Sequence, residues 1–472
     1  MAGAGGLARW DVLDSLTALV GQSLVVREEG PDQASRYRLL ETMRAYARQQ
    51  LATVDQRTLQ RAHVGHYAAF AERAGPELAG PAQLDWQHRI RAELDNLQAA
   101  VTWALARRGQ ECPLAFRIVA AMAFFAATSP PIMISGWAEA CVSQLGACPP
   151  ELRAPVLATA AWSALVAGDV PLAQRRAEEA LREPASSDPF GLGLARCMLA
   201  SICTFIGQPE RGVGIAREGR QEAANRGSEV FVGFLLVMEA MAWTRAGDYT
   251  AAQRPAMQAV EIARRIRNPA LSAEAFFAAA GAVWRSDPQT ALTLIEDSVA
   301  LARAGASDQM LGLALMLTGV IRARNGDLPG GLAALQEAVA QQHADGSRLG
   351  LGMTLQVAAI MLARLGEAGP AAVLAGAFSA HFPASISAMN EDDRIAIDEA
   401  QSLTRHMLGD AACSAALGRG AAMDEDQVVG YTLGEFRRVA ALLAEPGAQA
   451  SQSPPGPASD PQATTAVPPR PV

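Results

Sequence analysis

Six segments of this sequence repeat one pattern of helix, turn and second helix. Their turns open at Gly168 ("GDVPLA"), Gly207 ("GQPERG"), Gly247 ("GDYTAA"), Ser286 ("SDPQTA"), Gly326 ("GDLPGG") and Gly366 ("GEAGPA"), at spacings of 39, 40, 39, 40 and 40 residues. So regular a beat restricts the chain to a stack of similar units, each burying its apolar face on the next. Glycine at the start of the turn suits the left-handed residue that ends a helix, and the Asp after it in four of the six suits an N-cap.

Three columns of small residues accompany the turns. Seven residues before them stand Ala161, Ala200, Ala240, Ala279, Gly319 and Ala359, and five after them Ala173, Gly212, Ala252, Ala291, Gly331 and Ala371. Twelve after them come Ala180, Gly219, Ala259, Ser298 and Ala338, with Phe378 as the one departure, at the last repeat. Helices approach to roughly 8–10 Å only where the contacting side chains are small. These columns resemble the tetratricopeptide repeat, lengthened from its usual period of about 34 residues. The fold class expected is all-α: a tetratricopeptide-repeat-like, right-handed superhelix of about seven helical hairpins, preceded by a partial winged-helix module of small α+β type. The seventh hairpin is a degenerate repeat over Cys112 to Pro150.

The flanks complete the layout. "LDSLTALVGQSLVVREE", a Gly-Pro-Asp turn, "YRLL" and a helix from Glu41 read as helix, strand, turn, strand and helix. The expected organisation is residues 1–55 as that module, 56–111 as a helical linker, 112–380 as repeats, 381–445 as a helical cap and 446–472 as a disordered tail. The tail carries 8 of the 27 prolines. "LLETMRAYARQQL", "AELDNLQAAVTWAL" and "LGDAACSAALGRGAAMDEDQVV" resemble large actinobacterial regulators of the signal-transduction ATPase (STAND) class, joined to cyclase, SARP-type or LuxR-type outputs. The resemblance implies an ATP-driven switch, a winged helix, a helical linker and sensing repeats, in that order. On that resemblance, this chain is expected to begin inside the winged helix. It contains no lysine, so all 40 of its basic side chains are arginine. A Walker A loop, a Schiff-base lysine and a kinase-type lysine are thereby excluded, and "GAGG" at residues 3–6 is no phosphate loop. The expectation is a regulator without its engine or output module, through truncation, a split gene or an early start codon.

Catalytic, cofactor and metal sites are not expected. His63 and His66 lack a third ligand at metal spacing, and Glu391, Asp392 and Asp393 read as an acidic helix start. The six cysteines form no CxxC pair and read as buried apolar residues of a reducing cytoplasm. No apolar run approaches the ~20 residues needed to span a bilayer. A formal charge of −8 offers no basic field for nucleic acid. The function expected is a non-catalytic sensor or interaction scaffold of a transcription-regulatory protein. The alternative is DNA binding through the winged helix, with Arg36, Arg38, Arg44 and Arg48 on phosphates. The partner expected is a protein or peptide, or an apolar inducer, held in the groove; neither DNA bound by this chain alone nor a membrane is expected. Trp162, Met241, Val320 and Ile360 at one level, and Cys197, Val237, Phe276 and Met316 at another, should line the concave face. Arg245, Arg324 and Arg364, two residues before their turns, should edge it and catch the carboxylates of an acidic partner segment.

Overall fold

The computed structural model describes residues 8–29, 35–50, 53–107, 111–128, 132–183, 189–382 and 391–444. The Gly-Pro-Asp turn and the proline-rich tail lie outside the described residues. The chain opens with α1 (Arg9–Gly21), the antiparallel pair β1 (Val25–Glu29) and β2 (Ser35–Leu39), and α2 (Glu41–Gln50). This is the helix, strand, strand and helix of a winged-helix module. Two long linker helices follow, α3 (Thr53–Leu78) and α4 (Gln83–Leu105). The degenerate unit is broken into α5 (Cys112–Ala121), α6 (Ala123–Thr128) and α7 (Ile132–Val142).

Six regular hairpins come next. They are α8 (Pro150–Val166) with α9 (Val170–Arg182), α10 (Pro189–Phe205) with α11 (Pro209–Asn225), and α12 (Glu229–Arg245) with α13 (Tyr249–Ile266). The others are α14 (Pro269–Val283) with α15 (Pro288–Arg303), α16 (Asp308–Arg324) with α17 (Leu328–Ala344), and α18 (Arg348–Arg364) with α19 (Ala368–His381). The cap is α20 (Glu391–Leu408), α21 (Asp410–Ala421) and α22 (Glu425–Ala444). The result is a tetratricopeptide-like array with a winged-helix module at its start.

Each glycine turn is built alike. Gly168, Gly207, Gly247, Gly326 and Gly366 all have φ between 77° and 88°, a region open to glycine without steric cost. The residue after each donates its N–H five residues back, as Asp248 does to the Trp243 carbonyl at 3.0 Å. Asp169, Asp248, Asp287 and Asp327 all cap the helix that follows, each accepting a backbone N–H three residues on at 2.8–3.1 Å. The small columns mark the crossings. Ala161, Ala173, Ala240, Ala252, Ala279 and Ala291 are fully buried, and a β-carbon on Gly212 would stand 2.9 Å from the Ala200 carbonyl oxygen. At such a crossing Ala252→Leu should cost about 1–3 kcal/mol. The readout is a lowered denaturation midpoint; a midpoint equal to the parent's would mean that α12 and α13 cross elsewhere.

Ser286 breaks the series. It keeps a negative φ, and Asp287 donates only four residues back, to the Val283 carbonyl at 2.8 Å. Without the left-handed residue the turn is one residue tighter, and the inward face of α14, counted from the turn, is offset by one.

The linker also folds back onto the array. Gln83 donates to the Ala306 carbonyl at 2.7 Å and accepts from the Ala270 N–H at 2.7 Å. Asn268, which caps α14, donates to the Leu78 carbonyl at 3.0 Å and the Gly80 carbonyl at 3.2 Å. These buried amides tie the α3–α4 connection to repeats some two hundred residues later.

Candidate functional site

The first helix of each hairpin faces inward, and together these helices enclose an apolar channel. Its inner part is a cavity of about 110 Å³ walled by α6, α8, α10, α12, α14, α16 and α18. A second chamber of about 230 Å³ continues from it, and the two share Ser201, Phe205, Met238, Met241, Leu313 and Met353. The walls are methionine and aromatic side chains, a surface that adapts to the shape of an apolar guest. Phe124 and Phe234 stack edge to face at 5.7 Å between centroids.

Of the residues expected on the concave face, Trp162, Cys197 and Met241 line the inner chamber; Met241 also lines the outer one, with Met316, Val320 and Ile360. Two do not line the channel. Val237 is wholly buried in the core between helices. Phe276 lies 6.0 Å from the Arg264 guanidinium, and Phe277 takes the place in the channel wall expected of it. For Phe276 the cause is the one-residue offset of α14.

The offset also hides a fourth arginine. Arg285, one residue before its turn, joins Arg245, Arg324 and Arg364 in a rim across four successive repeats. These guanidinium groups already have partners within the chain. Arg245 pairs with Asp393 at 2.7 Å, Arg285 with Asp392 at 2.9 Å and Arg364 with Glu399 at 3.6 Å. Arg324 lies over the Trp284 ring at 4.6 Å. Its pKa is lowered, first by burial and then by Arg285 and Arg364 beside it. The acidic segment that the rim was expected to catch is thus present as the chain's own α20, lying over the channel's outer chamber. Glu391, Asp392 and Asp393 stand in that helix's first turn, as anticipated.

One polar group breaks the apolar lining. Glu274 on α14 projects into the inner chamber and makes no hydrogen bond or ion pair with any described residue. Burial alone pushes its carboxyl up to about 8. Cys197 lines the same chamber, and its thiol is itself raised, chiefly by burial and then by Glu274. Sequence reasoning passed over Glu274 because the repeat register placed it off the channel.

The remaining candidates have ordinary surroundings. His63 packs on Tyr67 at 4.7 Å and hydrogen-bonds Asn96; its pKa is lowered mainly by burial. Among the described residues no cluster of three His, Cys, Asp or Glu side chains is arranged to hold a metal. All six cysteines are free and buried. In the winged-helix module Arg36 pairs with Glu93 of α4 at 3.0 Å, Arg38 with Glu28 at 3.0 Å and Arg44 with Glu41 at 2.8 Å. Arg48 lies in α2, in a stretch where its side chain is not described.

A repeat array around an apolar channel, led by a winged-helix module, defines a regulatory architecture with a repeat domain. Residues 2–52 match the family model of a winged helix-turn-helix domain. Over 107 residues the chain is 38% identical to proteins named as HTH-type transcriptional regulators in Mycobacterium tuberculosis and Mycobacterium bovis. That stretch is 22% of this chain and only 12% of those relatives. Among solved structures, a Rap protein complexed with Competence and Sporulation Factor matches with a TM-score of 0.46 at 12% identity, over 80% of this chain and 99% of that one. A STAND protein with a tetratricopeptide repeat sensor from Pyrococcus horikoshii matches with a TM-score of 0.46 at 12% identity, over 90% of this chain and 60% of that one. This likeness extends to the general course of a helical array and to nothing chemical. No described helix is long and apolar enough to cross a membrane.

Proposed function

We propose that this chain is the non-catalytic sensing part of a cytoplasmic transcription-regulatory protein, and that its channel holds a ligand with an apolar body. The observation that carries the reading is the continuous apolar channel through successive repeats, lined by Trp162, Phe205, Met238, Met241 and Met353. Convergent nucleophile, base and oxyanion groups, which catalysis needs, are not gathered in that lining. The inner chamber is bordered by α6 and the outer one by the first turn of α20, which favours a small inducer over a long peptide. Protein partners then meet the outer faces of the array. Arg36, Arg38 and Arg44 of the winged-helix module pair with Glu93, Glu28 and Glu41, so a phosphate backbone would have to displace those pairs before it could bind them.

The test is equilibrium binding of the neutral apolar fluorophore phenylnaphthylamine. It should bind with a blue-shifted, enhanced emission, and Met241→Trp, which fills the junction of the two chambers, should weaken it about tenfold or more, the size expected of overpacking. Equal binding by the parent and a folded Met241→Trp variant would place the probe on the surface and defeat the reading.

A further inference from the structure

The channel positions can be compared repeat by repeat. Thirteen residues before four of the five glycine turns stand Leu194, Phe234, Leu313 and Met353, all lining the inner chamber. The corresponding position in α14, twelve residues before Ser286 because of the tighter turn, is Glu274. One repeat alone puts an acid where its neighbours put hydrocarbon. It is half-buried in the chamber wall, and no guanidinium or imidazole of the described residues reaches it.

We propose that Glu274 is the recognition residue for a small organic cation, an ammonium or guanidinium group on an apolar body, bound in the inner chamber. This deepens the reading of the channel as a ligand site and rests on it. Charge and shape agree with such a guest. A carboxylate in an apolar lining offsets the stabilisation it loses on leaving water either by taking up a proton or by pairing with a cation. Phe124, Trp162, Phe205, Phe231 and Phe234 stand around the same chamber, and aromatic walls attract a desolvated cation through their ring faces. Neutral guests would gain only the hydrophobic contribution. Because burial holds the empty site's carboxyl protonated near neutral pH, an ammonium guest that pairs with it expels that proton to solvent. No covalent bond forms or breaks beyond this proton release.

The experiment is calorimetry of the full chain with phenylbutylammonium and its neutral isostere phenylbutanol, near pH 7 in two buffers of different ionisation enthalpy. The ammonium should bind about tenfold or more tightly than the alcohol, as charge-assisted pairing in an apolar site allows, and should release about one proton per ligand. Both signatures should vanish in Glu274→Gln, which keeps the side chain's shape, while alcohol binding remains. In the parent, ammonium affinity should rise with pH until Glu274 is ionised in the empty site, a check that needs no variant. Equal affinity for ammonium and alcohol would overturn the inference and leave the channel reading intact. A preference that persists in Glu274→Gln would locate the cation elsewhere, at Asp392 or Asp393, and overturn it as well. Binding of neither compound would end both.

Discussion

Between pH 5 and 9 the protein should lose about 3–5 kcal/mol of stability relative to its Glu274→Gln variant, at 1.36 kcal/mol per unit of pKa shift. The sign follows from linkage. Burial raises the Glu274 carboxyl from an ordinary value of 4.5 to about 8, so between those values the folded state holds a proton that the unfolded state has released. Stability therefore falls as pH rises through that interval and levels off above the folded-state value. Below the unfolded value the two proteins should be equally stable, because each then carries a neutral side chain. Every other carboxylate and histidine is common to both, so the difference between their denaturation curves isolates this group. Parallel curves across the range would mean that water or an unrecognised partner already stabilises the ionised acid.

Phe231→Ala should cost about 3–5 kcal/mol, the range for removing a fully buried aromatic ring. Phe231 is 1% exposed, and its ring lies so close to α10 that a β-carbon on Gly193 would stand 2.7 Å from the ring carbons Cδ1 and Cδ2. Gly193 and Phe231 thus join one repeat to the next, and nothing else nearby can collapse into the gap, since α10 is already in contact. The ring also lines the inner chamber, so its loss enlarges the channel. Excess phenylbutanol should bind the widened chamber and recover part of the stability by mass action. A variant that melts like the parent would show that the ring is not wedged between α10 and α12.

Much of this architecture was legible because the backbone requirement and the side-chain requirement fall on the same few residues. A left-handed turn selects glycine, the cap beside it selects aspartate, and a close crossing selects alanine or glycine. Five turns take the left-handed glycine, three of them with the capping aspartate, and the register counted from them gives the inward face except at Val237. The sixth does not. Ser286 closes its turn without a left-handed residue, and a shift of one position was enough to exchange Phe276 for Phe277, to leave Arg285 out of the rim and to hide Glu274. The missing glycine was itself the visible signal. Longer-range features had no such signal. Nothing local in "AQLDWQ" announces that Gln83 will meet Ala306, and the acidic start of α20 could be read as a helix end but not as the occupant of an arginine rim.

The most direct test of the account is a crystal structure of the full chain soaked with iodobenzylammonium, read by iodine anomalous scattering. The account predicts an iodine peak inside the inner chamber, among Trp162, Phe234 and Met238, with the ammonium turned toward the Glu274 carboxylate, and no such peak in Glu274→Gln. Iodine found only on the outer surface or against α20, or an equal chamber peak in both proteins, would contradict it.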